Sequence, residues 1–201
     1  MSNTAVLLAP GAGSDSNHPS LVLIEQQLAA TTMVRMDFAY RIAGRTFPDK
    51  TPALLDAVRA AADALAPAKL VLGGRSMGGR MCSMAVAAGL VQSLGLVLIC
   101  YPLHPPGKPG QLRTEHFAAI TVPCLFISGT RDAFGTRDEL EQHTALISGP
   151  VTHVWLEGGD HSLRRHNQEV ADTAVAWIRA LISGQTDVAP TVPAPPSPAP
   201  R

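Results

Sequence analysis

Gly74-Arg75-Ser76-Met77-Gly78 decides the reading of this chain. This G-x-S-x-G pentapeptide stands between an apolar run, Lys69 to Gly73, and a run of small, helix-compatible residues from Met77 to Gly89. A strand that passes into a helix through so sharp a turn needs glycines on both sides, because the two backbones approach closely. The serine at the apex is lifted clear of the sheet, next to the free N–H groups of a helix N-terminus. Ser76 is therefore a candidate nucleophile. A serine that only caps the helix is the competing reading.

Such a nucleophile is followed along the chain by an acid after a later strand and a histidine after the last one. Val122-Pro123-Cys124-Leu125-Phe126-Ile127-Ser128-Gly129 reads as a buried strand, and Thr130-Arg131-Asp132 follows it. Val151-Thr152-His153-Val154-Trp155-Leu156 reads as the final strand, leading into the loop Gly158-Gly159-Asp160-His161-Ser162. Asp132 and His161 thus fall where the acid and the base belong. Each has rivals. Asp132 resembles a turn acid before the helix near Thr136, and Asp160 adjoins the histidine. Of the other histidines, His153 lies within a strand, His143 on a helix surface, and His116 and His166 lack a glycine loop. Position favours His161.

Strands alternate with helices throughout. Ala5–Ala9 and Thr32–Phe38 read as strands, with a helix opened by Pro19 between them and the loop from Ala39 to Lys50 after them. Thr51-Pro52 reads as an N-cap and first helical position, with Leu54, Leu55, Val58, Ala62 and Leu65 as the apolar stripe. Leu94–Cys100 is apolar throughout, as a parallel strand covered on both faces should be. Helices near Thr136–Ile147 and Arg164–Ile182 frame the last strand. The expected fold is α/β: a doubly wound, mostly parallel sheet of six strands over residues 1–184, then a proline-rich, disordered tail over 185–201. Catalytic groups at strand carboxyl ends then share one edge of the sheet.

The residues carrying this reading also carry a resemblance. They are Pro10-Gly11-Ala12-Gly13, the segment from Phe38-Ala39-Tyr40 through Gly44-Arg45 to Pro48-Asp49, and Gly74 through Arg80. Tyr101 through Lys108, Gly129 through Asp132, and Gly159 through Ser162 complete the set. Together they resemble a small member of the α/β-hydrolase superfamily, in the dienelactone-hydrolase-like branch. Within that branch the chain is similar to compact proteins related to a testis-expressed protein and to a histone-acetyltransferase-complex subunit. The resemblance implies a trimmed hydrolase fold without the two N-terminal strands of larger members. Two departures stand out: Pro10-Gly11 replaces a common His-Gly, and Ser76 stands where dienelactone hydrolases proper carry cysteine.

Composition agrees. Lys and Arg number 16 and Asp and Glu 16, a net charge of zero with no basic run, which argues against nucleic acid or an anionic membrane as partner. No apolar stretch is long enough for a bilayer span, and no signal-peptide pattern opens the chain. Cys82, Cys100 and Cys124 are odd in number and lack metal spacing, so they read as reduced core thiols of a cytoplasmic protein. No metal or organic cofactor is implied.

The expected chemistry is attack by Ser76 on a small-molecule ester or thioester, with His161 as base and Asp132 holding its tautomer. Oxyanion donors are expected from the N–H groups of Met77 and Ala12. Tyr40, Arg45, Tyr101 and His104 stand on loops able to line the substrate pocket. Arg75 and Arg80 flank the elbow, in position to favour an anionic substrate, although Arg80 also reads as a structural ion-pair partner. Only some twenty residues, Tyr101 to Thr121, are available where larger hydrolases insert a cap, so an open, capless site is expected. A hydrolase-shaped scaffold whose chemistry has lapsed is the alternative.

Overall fold

Six strands assemble into one parallel sheet, in a computed structural model that describes residues 4–184. The expected tail, 185–201, lies outside the described residues. The strands are β1 (Thr4–Ala9), β2 (Thr32–Arg35), β3 (Lys69–Arg75), β4 (Gly95–Ile99), β5 (Cys124–Gly129) and β6 (Val151–Leu156), in spatial order β2-β1-β3-β4-β5-β6. Every neighbouring pair is parallel.

The apolar runs are explained by two cores, one on each face. Val6 and Leu8 of β1 join Val71, Val97 and Ile127 beneath α1 (Pro19–Gln27) and α6 (Asn167–Ser183). The residues between them, Leu7 and Ala9, join Leu72, Leu98 and Phe126 beneath α3 (Thr51–Leu65) and α4 (Met77–Ala87). Successive side chains of one strand point to opposite faces, so a sheet covered twice needs apolar residues at every position. The chain builds outward from β1 to β2, then crosses back to β3 on β1's other side. That reversal leaves a crevice beyond the carboxyl ends of β1 and β3.

Several boundaries differ from the sequence reading, each for a local reason. β2 stops at Arg35 rather than Phe38, because the Asp37 carboxylate takes both the N–H and the hydroxyl of Ser16 and draws the chain off the ladder. A one-turn helix, α2 (Ala39–Ile42), interrupts the expected loop. Lys50, not Thr51, is the N-cap of α3, and Thr51 and Pro52 occupy its first two positions. α5 (Arg137–Thr144) opens on a capping box between Thr136 and Glu139. α6 begins at Asn167 rather than Arg164, because buried Leu163 adopts φ 46° and turns the chain first. Among the described residues, no helix is long and apolar enough to cross a membrane.

From Tyr101 to Thr121 the chain holds only one 3-10 turn, Phe117–Ala119, and no cap. This segment is fastened to the domain. Tyr101 donates its hydroxyl to the Arg113 carbonyl at 2.7 Å, and its ring meets Phe117 and Phe126. His116 Nε2 lies 2.8 Å from Ser83 Oγ, whose own proton goes to the Arg80 carbonyl.

Burial lowers the pKa of His116 and of His18 from 6.5 to about 4. In the unfolded chain both rings regain ordinary basicity, so between pH 6.5 and 4 the unfolded state binds more protons. Their stabilising effect is complete above pH 6.5 and is lost as pH falls toward 4. The urea midpoint should therefore drop between pH 7 and pH 4.5, and His116→Gln, which still offers Ser83 a donor, should flatten that slope. An identical slope in the variant would remove His116 as a cause.

Candidate active site

β3 ends at Arg75 and α4 begins at Met77, so Ser76 alone makes the turn. It adopts φ 49° and ψ −118°, a conformation costing a residue with a side chain on the order of 1–3 kcal/mol. Neighbours hold it there. The Ser76 N–H donates to the Ile99 carbonyl at 2.8 Å, and the Ser76 carbonyl accepts from the Arg80 N–H at 3.0 Å. A Cβ on Gly74 would overlap the Ala9 carbonyl, and one on Gly78 would overlap the carbonyls of Ala9 and Pro10. Both glycines of the motif are thus fixed by contact with β1.

The acid and the histidine arrive on two loops bound to each other. The Arg131 N–H donates to the Gly159 carbonyl at 2.8 Å, and the Thr130 N–H to the Leu156 carbonyl at 3.1 Å. Across this junction His161 Nδ1 lies 2.8 Å from Asp132 Oδ2 and 2.9 Å from Oδ1. His161 Nε2 lies 2.8 Å from Ser76 Oγ. The Asp132 side chain is 1 % exposed against 23 % for His161, so the carboxylate is sealed while the imidazole reaches the cleft. Asp132 Oδ1 also accepts the Phe134 N–H at 2.8 Å, and the Phe134 ring stacks on His161 at 3.9 Å. With its proton on Nδ1 facing Asp132, the ring presents Nε2 as an acceptor for the Ser76 hydroxyl.

Asp160, the rival acid, has a different task. Its Oδ1 accepts the Ser162 N–H and hydroxyl and the Leu163 N–H, shaping the loop. A cleft of about 840 Å³ opens over Ser76, walled by the loops that follow β1, β3, β4, β5 and β6. It occupies the crevice predicted from the strand order.

A family model described as alpha/beta hydrolase domain matches residues 2–185. The chain belongs to that family. Its fold is similar to that of Est1E from Butyrivibrio proteoclasticus with ferulic acid bound (TM-score 0.75, 14% identity, 90% of each chain covered). An alpha-beta serine hydrolase homologue from Coxiella burnetii is likewise similar (TM-score 0.69, 16% identity, 87% of this chain and 84% of that one). So is mouse alpha/beta hydrolase domain-containing protein 10 (TM-score 0.71, 17% identity, 90% of each chain). At these identities the likeness is one of fold.

Within this hydrolase fold, Met77 is the first residue of α4, where a backbone N–H has no partner inside the helix. Ala12 lines the cleft beside Gly11, where an added Cβ would sit 3.5 Å from the Ser76 Cβ. The four residues expected against substrate stand elsewhere. Tyr40 is fully buried and donates its hydroxyl to the Ala12 carbonyl at 2.8 Å, fixing the peptide unit beside Ser76. Arg45 is exposed and bonded to Asp49, and it is Asp49 that reaches the cleft. Tyr101 belongs to the core, and His104 is buried between the Pro105 carbonyl and Glu139. Loop membership misled here, because these rings turn inward and hold the walls from behind.

The sequence reading missed Phe134, His18, Arg113, Arg131 and Arg164, all of which line the cleft. Phe134 was the most findable, being an aromatic residue two places beyond the acid. Arg113 carried no signal, since its loop has no periodicity.

Cys100, Asp132 and His161 place a sulfur, an oxygen and a nitrogen within 4.8 Å of one another, the spacing of a metal site. The donors do not fit one. Burial pushes the Cys100 thiol up to about 12, and Asp132 and His161 already satisfy each other.

Arg75 joins the elbow to the histidine loop. It is 5 % exposed, and its Nη2 donates to the carbonyls of His161 at 2.8 Å and Ser162 at 2.6 Å. Arg75→Met, which keeps the bulk but not the donors, should raise amide exchange over residues 160–163 while leaving β3 protected. Unchanged exchange in that loop would show that packing alone holds it.

Proposed function

We propose that this α/β hydrolase is a serine enzyme that cleaves small carboxylic esters or thioesters through an acyl-enzyme intermediate. The observation that carries the reading is the unbroken Ser76–His161–Asp132 chain, with 2.8 Å at both links. Ser76 Oγ attacks the acyl carbon as its proton passes to His161 Nε2, and buried Asp132 stabilises the imidazolium. The N–H groups of Met77 and Ala12 receive the oxyanion. Collapse of the tetrahedral intermediate breaks the bond to the leaving group, which takes the proton from His161. Water, deprotonated by the same imidazole, then attacks the acyl carbon and restores the serine.

The motif from Gly74 to Arg80 and the loops around it support placing the chain in the dienelactone-hydrolase-like branch, near the testis-expressed type, with serine in place of cysteine. The ferulic acid bound to Est1E, a small aromatic acid, accords with an acyl substrate of modest size. Three buried free cysteines fit a reducing compartment, and on that ground we assign the enzyme to the cytoplasm.

Wild-type protein should be labelled by a fluorophosphonate probe, and Ser76→Ala should fold normally yet lose both labelling and turnover, by on the order of 10⁴-fold or more in kcat. Asp132→Asn should cost on the order of 10⁴-fold, because it favours the wrong imidazole tautomer, and Asp160→Asn much less. A wild-type chain that no probe labels would be a scaffold. Greater damage from Asp160→Asn would reassign the acid.

Without a cap, no further layer closes over the cleft to enclose a long acyl chain. Short-chain aryl esters should therefore be cleaved in preference to long-chain ones, with no jump in rate at a lipid–water interface. A profile rising toward long chains, with activation by lipid droplets, would show that the cleft closes over its substrate.

A further inference from the structure

The arginines of this protein fall into distinct environments. Arg35, Arg45, Arg59 and Arg137 are each paired with a carboxylate on the surface. Five others, Arg75, Arg80, Arg113, Arg131 and Arg164, converge on the cleft. Among the described residues, none of those five lies in an ion pair. The cleft's two aspartates offset them only in part: Asp49 is held by Arg45, and Asp160 is bonded within its own loop with the Arg164 charge nearby.

The excess is sharpest on the α4 wall. Arg80 lies one turn beyond Ser76, its Nε buried without a hydrogen-bond partner. The first turn of a helix disfavours a cation, and α4 has no acidic residue there to offset it. Arg113 faces the same space, with only a 3.5 Å contact from Nη1 to the Pro102 carbonyl. Burial and the neighbouring Arg80 guanidinium lower the pKa of Arg113, yet an arginine stays charged at neutral pH. Two half-buried cations stand beside Ser76 with no ion pair among the described residues, the exposed Glu115 being the carboxylate near them, and so offer donors to an anionic ligand. The alternative reading of Arg80, a structural ion-pair partner, finds no ion pair among the described residues.

The leaving group lies against His161, which protonates it, and the α4 wall bearing Arg80 is a side of the cleft open to the acyl part. We propose that Arg80 and Arg113 bind a carboxylate at the far end of the acyl group, making the substrates mono-esters or mono-thioesters of dicarboxylic acids. Arg131 and Arg164, exposed at the rim, draw the anion in. This inference rests on the hydrolase reading and adds the substrate class to it.

The test compares 4-nitrophenyl hemisuccinate with 4-nitrophenyl butyrate, which differ by a carboxylate in place of a methyl group. Wild-type kcat/KM should favour the hemisuccinate by roughly tenfold or more at low salt, as charge-assisted bonds imply. Arg80→Gln and Arg113→Gln should each bring the ratio toward one, while Arg59→Gln on the surface leaves it unchanged. Thermal midpoints of the two cleft variants should stay level or rise, whereas loss of a structural role would lower them. Succinate titrated into Ser76→Ala and followed by NMR reads the anion site without turnover, and the shifts should vanish when Arg80→Gln and Arg113→Gln are added. Succinate binding in a protein that hydrolyses neither ester would sink the hydrolase reading and keep the anion site. Hydrolysis of both esters without preference would overturn the anion site alone. A preference instead for 4-acetoxybenzoate over phenyl acetate would move the carboxylate to the leaving group and overturn the acyl assignment.

Discussion

The approach of α4 to β1 is the constraint on which the rest of this structure depends. Gly74 and Gly78 press against the carbonyls of Ala9 and Pro10, closer than any side chain permits. Only at that distance does β3 turn into α4 through a single residue, and only then does Ser76 stand above the sheet at φ 49°. The turn is strained, and the bond from Ser76 N–H to the Ile99 carbonyl ties it to β4. Strain of this kind persists because several packed elements determine it together. The same approach brings the loop after β1 over the serine, so one contact both positions Ser76 and forms a wall of the cleft.

From that fixed point the site is joined by short polar bridges. Arg75 lies within the elbow motif itself, yet its guanidinium holds the carbonyls of the histidine loop. The acid loop grips the histidine loop through backbone bonds, and Phe134 stacks on the imidazole. Each part therefore rests on an element distant in sequence. These bridges fix Ser76, His161 and Asp132 relative to one another.

Much of this was legible in the sequence. The apolar runs gave the strands because a doubly covered parallel sheet leaves no polar positions along them. Ser76, Asp132 and His161 were readable because each follows a strand, and strand ends in such a sheet share one edge. Helix and strand limits were less legible. Where β2 ends depends on Asp37 meeting Ser16, and where α6 begins depends on the turn at Leu163, neither of which shows in periodicity. Tyr40, Arg45, Tyr101 and His104 were misplaced for a related reason, since position on a loop says nothing about which way a side chain faces.

The sequence by itself determined the layered sheet, the elbow and the order of Ser76, Asp132 and His161 at strand ends, because all three are properties of spacing along the chain. Tertiary structure decided which charges stand together. Arg80 and Arg113 lie far apart in sequence and meet only because the segment after β4 folds back over α4. Arg45 and Asp49 neutralise each other, while among the described residues the cleft arginines form no ion pair. Local pattern specifies secondary structure through repeating geometry. The balance of charge in a site arises from contacts between loops, and those have no repeat to read.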